Sequence, residues 1–155
     1  MNTVPLYQIV NYDDHFENSR SRKRDQCSFV CVPNKNDGVC LANILGEPDG
    51  AAIYGIWILL LQLCSRQRKP RNGYLTADGK KDGRRLSAAE LSRIFNRPVA
   101  EIERCLQVVS SEKVAFMAVR AWGCKPPLGL NGLERSCAKP QLLRIGMNGE
   151  HFNRA

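Results

Sequence analysis

Several features that identify common protein classes are absent from this sequence of 155 residues. The longest apolar run covers residues 51–61, whereas a helix that crosses a bilayer needs about 20 apolar residues. The order GxxxxGK followed by Ser or Thr, which marks a phosphate-binding P-loop, does not occur. The first twelve residues lack the basic start and apolar centre of a secretory leader. We therefore expect a cytoplasmic protein with reduced cysteines and no membrane partner.

Groups suited to catalysis are also scarce. The sequence has two histidines, His15 and His151, and no motif places either of them beside a thiol. Asp13 and Asp14 are adjacent, so on a strand their carboxylates would point to opposite faces. We predict that the protein is not an enzyme.

The cysteines raise the alternative of a zinc site. Cys27, Cys31 and Cys40, with His15 upstream, would make four ligands of the kind zinc accepts. Their spacing, C-x3-C-x8-C, is not that of a compact zinc knuckle. Cys27 and Cys31 also alternate with apolar residues, as packed thiols do. We therefore expect no metal and no cofactor, and keep a zinc module as a third hypothesis.

Positive charge is unevenly distributed. The chain carries a net charge of +8. Residues 51–100 hold ten basic and three acidic side chains, whereas residues 1–50 hold five basic and seven acidic ones. Clustered cations can follow a phosphate backbone, and nucleic acid is the commonest acidic partner of such proteins.

The composition divides the chain into three regions. Residues 1–48 contain a predicted strand over Val4–Tyr12 and a polar basic segment, which we interpret as a solvated helix or a mobile arm. A β-strand is also favoured over Cys27–Cys31. Residues 49–122 contain the main helices, and residues 123–155 form a Gly/Pro-rich tail that we expect to be loosely structured. The cations of the basic arm are Arg20, Arg22, Lys23 and Arg24.

Three helices are predicted in the central region. The segment Ala51–Cys64 is almost wholly apolar and follows Asp49, a plausible N-cap, which predicts a buried helix. Ser87 is followed three residues later by Glu90, as in a capping box, and begins a helix that ends near Phe95. Pro98 is suited to the first position of a third helix, running to about residue 110.

The order of these elements indicates a fold class. A short strand at 74–76 precedes the second helix, and a strand at 114–122 follows the third. We therefore predict a mainly α protein with a small β component, arranged as a winged helix-turn-helix. In that fold the third helix presents its free face to the major groove of DNA.

Five segments in a specific order resemble one family. The segments "HFENSRSRK", "VPNKNDG", "EPDGAAIYGIWILLLQLCSR", "NGYLTADG" and "LSAAELSRIFNRPVAEIERCL" span residues 15–109. Together they resemble the N-terminal domain of phage and prophage replication proteins of the replisome-organiser, or replication-initiation, type. The resemblance implies a winged-helix DNA-binding module that marks an origin and helps bring in the replicative helicase or its loader.

Ten residues are predicted to contact duplex DNA. Those expected on phosphates are Arg66, Arg68, Lys69, Lys80, Lys81, Arg84 and Arg85. Those expected to face the groove, on or beside the third helix, are Arg97, Arg104 and Gln107.

An alternative function uses the same fold. Glu101 and Glu103 on the third helix would repel phosphates, and they would serve instead as contacts of a protein-binding adaptor of the primosome. A transcriptional regulator is a related alternative. Many helix-turn-helix proteins bind as dimers, so we also keep a homodimer open.

Overall fold

The computed structural model describes residues 4–34 and 37–120. Within this part of the chain the architecture is mainly helical with a small antiparallel sheet, which confirms the predicted class. The predicted tail over 123–155 lies outside the described residues. The elements in chain order are β1 (Leu6–Ile9), α1 (Tyr12–His15), α2 (Val39–Leu45), α3 (Gly50–Ser65), α4 (Ala88–Phe95), α5 (Val99–Val109) and β2 (Met117–Arg120).

Helix α3 supplies much of the core. Its sequence is nearly all apolar, so it can be buried on several sides, and Ile53, Trp57, Leu60 and Leu61 are all at most 3% exposed. None of the helices in the described part of the chain combines the length and apolarity that a bilayer crossing requires.

Helix α2 was not predicted from the sequence. It begins after Gly38 without a side-chain cap and turns directly into α3. The corner is tight, because a Cβ on Gly50 would collide with the backbone carbonyl of Ile44. Asp49 occupies the predicted N-cap position of α3, but its side chain accepts no capping hydrogen bond.

Helices α4 and α5 correspond to the second and third predicted helices. The capping box is confirmed: the Ser87 Oγ accepts from the Glu90 backbone, and the Glu90 carboxylate accepts from the Ser87 N–H at 2.9 Å. Asn96 ends α4 in the left-handed conformation, with φ 52°. Pro98 was predicted to be the first residue of α5. It is instead the N-cap, so the helix begins one residue later, at Val99.

The sheet joins the two ends of the described chain. Strands β1 and β2 pair antiparallel, with Leu6 opposite Arg120 and Ile9 opposite Met117. The predicted strand at 74–76 is present only as isolated bridges, from Tyr74 to Gln8 and from Thr76 to Arg85. The small sheet therefore lies beside a hairpin that precedes α4.

The N-terminal region differs from its prediction in two ways. The strand predicted over Cys27–Cys31 is wrong: no strand occurs there. The arm cations lie in a series of turns and bends rather than in a helix. Asn18 holds the first turn, because its Oδ1 accepts from the backbone N–H groups of Arg20 and Ser21 at 2.9 and 2.8 Å.

Candidate nucleic-acid interface

Three cations follow directly from the C-terminal end of α3. Arg66, Arg68 and Lys69 are all exposed. The Arg66 Nε donates only to a backbone carbonyl one turn back, that of Gln62, at 3.4 Å. The Arg68 side chain is 78% exposed and lies 3.9 Å from Asp25. An exposed pair of this kind contributes little, so Arg68 remains available to a phosphate.

A hairpin brings two further cations to the same end of α3. Residues 74–86 form this hairpin, with the Ala77 N–H donating to the Arg84 carbonyl at 2.8 Å. Gln67 ties the hairpin to α3, because its Nε2 donates to the carbonyls of Tyr74 and Thr76 at 3.4 and 3.1 Å. Gly79, the residue before Lys80, lies against Gln67, whose chain neighbours are Arg66 and Arg68.

The turn of this hairpin has a defined structure. The Thr76 Oγ1 donates to the Lys80 carbonyl at 2.8 Å, and the Asp78 Oδ1 accepts from the Lys80 N–H at 3.1 Å. Gly79 has φ +74°, and a Cβ there would lie 2.5 Å from the Gln67 Oε1. Lys80 and Lys81 are exposed, and neither has an ion-pair partner among the described residues.

The basic arm is held against this end of α3. Its backbone contacts the segment that follows the helix: the Lys69 N–H donates to the Asp25 carbonyl at 3.1 Å, and the Cys27 N–H to the Ser65 carbonyl at 3.4 Å. Arg20, Lys23 and Arg24 are exposed. The fourth arm cation, Arg22, is also exposed and donates to the Asp13 carbonyl at 2.5 Å.

We call this assembly the basic surface. It combines cations from the arm, from the end of α3 and from the hairpin, and only five of its members were among the ten predicted DNA contacts. Its members are Arg20, Arg22, Lys23, Arg24, Arg66, Arg68, Lys69, Lys80 and Lys81.

The predicted residues of α5 are placed differently. Arg104 is turned toward the α2–α3 corner, where it pairs with Glu47 at 2.6 Å and with Asp49 at 3.4 Å. Arg97 pairs with Glu101 one turn along, at 2.5 Å. Neither guanidinium is an unpaired cation, in contrast to what the sequence predicted for this face.

The exposed side of α5 carries no cation. Its exposed residues are Val99, Ala100, Glu103 and Gln107. Gln107 also lines an open groove of about 620 Å³ between α2 and the C-terminal part of α5, together with Arg104. The groove-facing role predicted for Gln107 therefore stays a prediction, on a surface that holds the paired Arg104 and Lys113 beside Glu47 and Glu112.

Arg84 and Arg85, at the base of the hairpin, contact other parts of the fold. Arg84 forms an ion pair with Glu90, and the half-buried Arg85 donates to the Val4 carbonyl at 2.5 Å. The backbone hydrogen bond from Ser87, and then the bond from Arg84, lower the pKa of Glu90 to about 2. These arginines have roles within the fold that the sequence did not indicate.

Arg104 and the cations of the basic surface lie at opposite ends of α3. Arg104 contacts Asp49 at the N-terminal end, whereas Arg66 is the C-cap. A helix of 16 residues is about 24 Å long at 1.5 Å per residue. Exposed cations therefore cluster at the C-terminal end of the central helix, and the DNA contacts predicted on and beside α5 stay predictions.

The proposed zinc ligands have separate environments. Cys27 is buried, with its Sγ 3.6 Å from the Ser21 carbonyl, and the Cys31 Sγ accepts from the Asn18 Nδ2 at 3.0 Å. Cys40 lies on α2. Within residues 4–34 and 37–120, no group of three or more His, Cys, Asp or Glu side chains is placed to hold a metal ion.

Comparison with protein-family models, with curated proteins and with solved structures found no match to this chain.

Proposed function

We propose that the protein binds duplex DNA, and that the basic surface rather than α5 supplies the main contact. The observation that carries this proposal is the convergence of exposed cations from three separate segments at the C-terminal end of α3. Each phosphate that is neutralised releases condensed counterions, so such a surface binds DNA without needing contacts to bases.

We further propose that the fold is a winged helix. Helices α3, α4 and α5 would be its three helices, and β2 would begin the wing. The hairpin that carries Lys80 and Lys81 comes before the helix-turn-helix, so the cationic loop is an addition to that scheme. The resemblance to replisome organisers supports a role in phage or prophage replication initiation, with the replicative helicase or its loader as a further partner.

A salt titration tests DNA binding directly. A labelled duplex is titrated with the protein by fluorescence anisotropy at 50 and at 200 mM salt. If about six phosphates are neutralised, affinity falls by roughly a thousandfold over this range. An affinity that does not change with salt would contradict the proposal.

A protein-binding adaptor is the second candidate, and one observation favours it. Ile94 and Val99, at the corner between α4 and α5, are 48% and 39% exposed, and Glu103 lies on the same helix as Val99. This face would suit a partner protein better than a phosphate backbone. In that case capture of the purified helicase or loader would depend on Glu103 and Val99, and DNA retention would be negligible.

A further inference from the structure

We propose that Arg71 is the positioning residue of the DNA interface. It fixes the basic arm against the end of α3, so that the cations of both segments act as one surface. The inference rests on the proposed DNA binding, although the contact it describes is independent of DNA.

Arg71 contacts the arm through backbone carbonyls. Its Nη2 donates to the Ser21 carbonyl at 2.7 Å, and its Nη1 donates to the carbonyls of Asp25 and Arg24 at 2.9 and 3.3 Å. These three carbonyls flank the cations Arg22, Lys23 and Arg24. Arg71 therefore determines where that part of the arm lies, although its own charge faces inward.

The charge of Arg71 is balanced inside the protein. Its Nε forms an ion pair with the Glu17 Oε1, and the two side chains are 0% and 6% exposed. Burial by itself lowers the pKa of the guanidinium, but the hydrogen bond and charge of Glu17 outweigh that effect, so the pKa of Arg71 lies above its ordinary value. Arg71 thus contributes no cation to DNA and acts only through the position of the arm.

A guanidinium suits this position better than an ammonium. Arginine presents five N–H donors in a planar fork, whereas lysine has three donors on one nitrogen. The contacts of Arg71 come from three different nitrogens and reach both a carboxylate and several carbonyls. Lysine at position 71 would leave part of this set without a donor.

An ordered arm has a consequence for affinity. A segment that is mobile in the free protein must be ordered on binding, and that conformational entropy reduces the observed affinity. Asn18 already fixes the first turn of the arm locally. Two backbone hydrogen bonds, from Lys69 to Asp25 and from Cys27 to Ser65, join the end of the arm to α3. Arg71 adds the contacts to Ser21 and Arg24, so its loss would release the arm cations that precede Asp25.

Limited trypsin digestion tests the contact without DNA. The arm contains four trypsin sites, at Arg20, Arg22, Lys23 and Arg24. In the Arg71→Met variant we expect cleavage at these sites to be at least about tenfold faster, because local opening exposes them. Arg93→Met removes an exposed arginine on α4 that donates to the Ala89 carbonyl and not to the arm, so it should leave the rate unchanged. Equal cleavage rates in the two variants would overturn the proposal.

A double-mutant cycle tests the consequence for DNA. Arg71→Met is introduced into the natural chain and into a chain whose four arm cations are replaced by glutamine. We expect DNA affinity to fall by about tenfold in the first background and by less than twofold in the second, because the two changes act through the same groups. The same loss in both backgrounds would show a general effect on folding and would contradict a positioning role.

Two controls keep these outcomes distinct. If Arg71→Met does not fold, Arg71→Lys is used in both experiments, because it keeps the charge but has fewer donors. We then expect a smaller increase in the cleavage rate and a smaller loss of DNA affinity. If the natural chain does not bind DNA, the proposed function fails, and trypsin cleavage still decides whether Arg71 holds the arm.

Discussion

The two ends of α3 carry arginines in different states. At the N-terminal end, Arg104 is paired with the carboxylates of Glu47 and Asp49. At the C-terminal end, Arg66 makes only a backbone contact, and Lys69 has no ion-pair partner among the described residues. Equal formal charges thus have different capacities to bind an anion. A basic residue is most available to DNA where the fold has supplied no carboxylate, or only a distant and exposed one such as Asp25 beside Arg68 at 3.9 Å.

The largest effect is expected from removing cations at the C-terminal end. Replacing four of them by glutamine should weaken duplex binding strongly and reduce the slope of log affinity against log salt by between about 3 and 4, since each lost phosphate contact removes about 0.9. Fluorescence anisotropy at several salt concentrations measures this. An unchanged slope would contradict the assignment of the basic surface. The four residues are Arg66, Arg68, Lys80 and Lys81.

The position of the hairpin can be disturbed through Gly79. Gly79→Ala places a Cβ against Gln67 at a positive φ. We expect it to destabilise the fold by about 1–2 kcal/mol and to weaken DNA binding several-fold. Gly55, in α3, has nothing within 4 Å of an added Cβ, so Gly55→Ala should instead stabilise by about 0.5–1 kcal/mol. Urea unfolding compares the two, and unchanged stability of the Gly79→Ala variant would argue against this account of the hairpin.

The N-terminal end of α3 should respond to mutation in stability and not in DNA binding. Arg104→Ala leaves Glu47 and Asp49 without their partner. We expect a loss of at most about 1 kcal/mol, because the pair is partly exposed, and a change in DNA affinity of less than about twofold. Urea unfolding and anisotropy on the same sample measure the two quantities. A tenfold loss of DNA affinity would show that Arg104 contacts DNA.

The smallest effect concerns the start of α4 and depends on pH. The pKa of Glu90 is about 2 in the folded protein, below its ordinary value of 4.5. The ionised carboxylate therefore stabilises the fold above about pH 4.5, and this contribution is lost as the pH falls toward 2. Glu90→Gln should flatten the decrease in melting temperature over that interval. The same pH dependence of the melting temperature in both proteins would show that ionisation of Glu90 does not stabilise the fold in this way.

Local sequence signals predicted the helical elements well. Ser87 with Glu90, and the apolar run of α3, specify their helices through neighbouring residues alone. Helix α2 lacked such signals, because it has neither a side-chain cap nor a charged terminal turn. Its position depends on the tight packing of Gly50 against Ile44, which is a tertiary contact.

The candidate site was less predictable, for a physical reason. Charge clustering in the sequence indicated a basic protein, and five of the predicted residues lie on the basic surface. The pairing of Arg104 with Glu47 joins residues 57 positions apart, and the contact of Arg71 with Ser21 joins residues 50 positions apart. No local pattern distinguishes an arginine with such a partner from one without.

Lysine acetylation footprinting tests the central claim most directly. The exposed lysines of the basic surface include Lys69, Lys80 and Lys81, whereas the exposed Lys113 lies beside the groove between α2 and α5. The protein is acetylated with and without a duplex, and each lysine is quantified by mass spectrometry. We predict that DNA protects the first three lysines and leaves Lys113 reactive. Protection of Lys113 with continued reactivity of Lys80 and Lys81 would contradict the account.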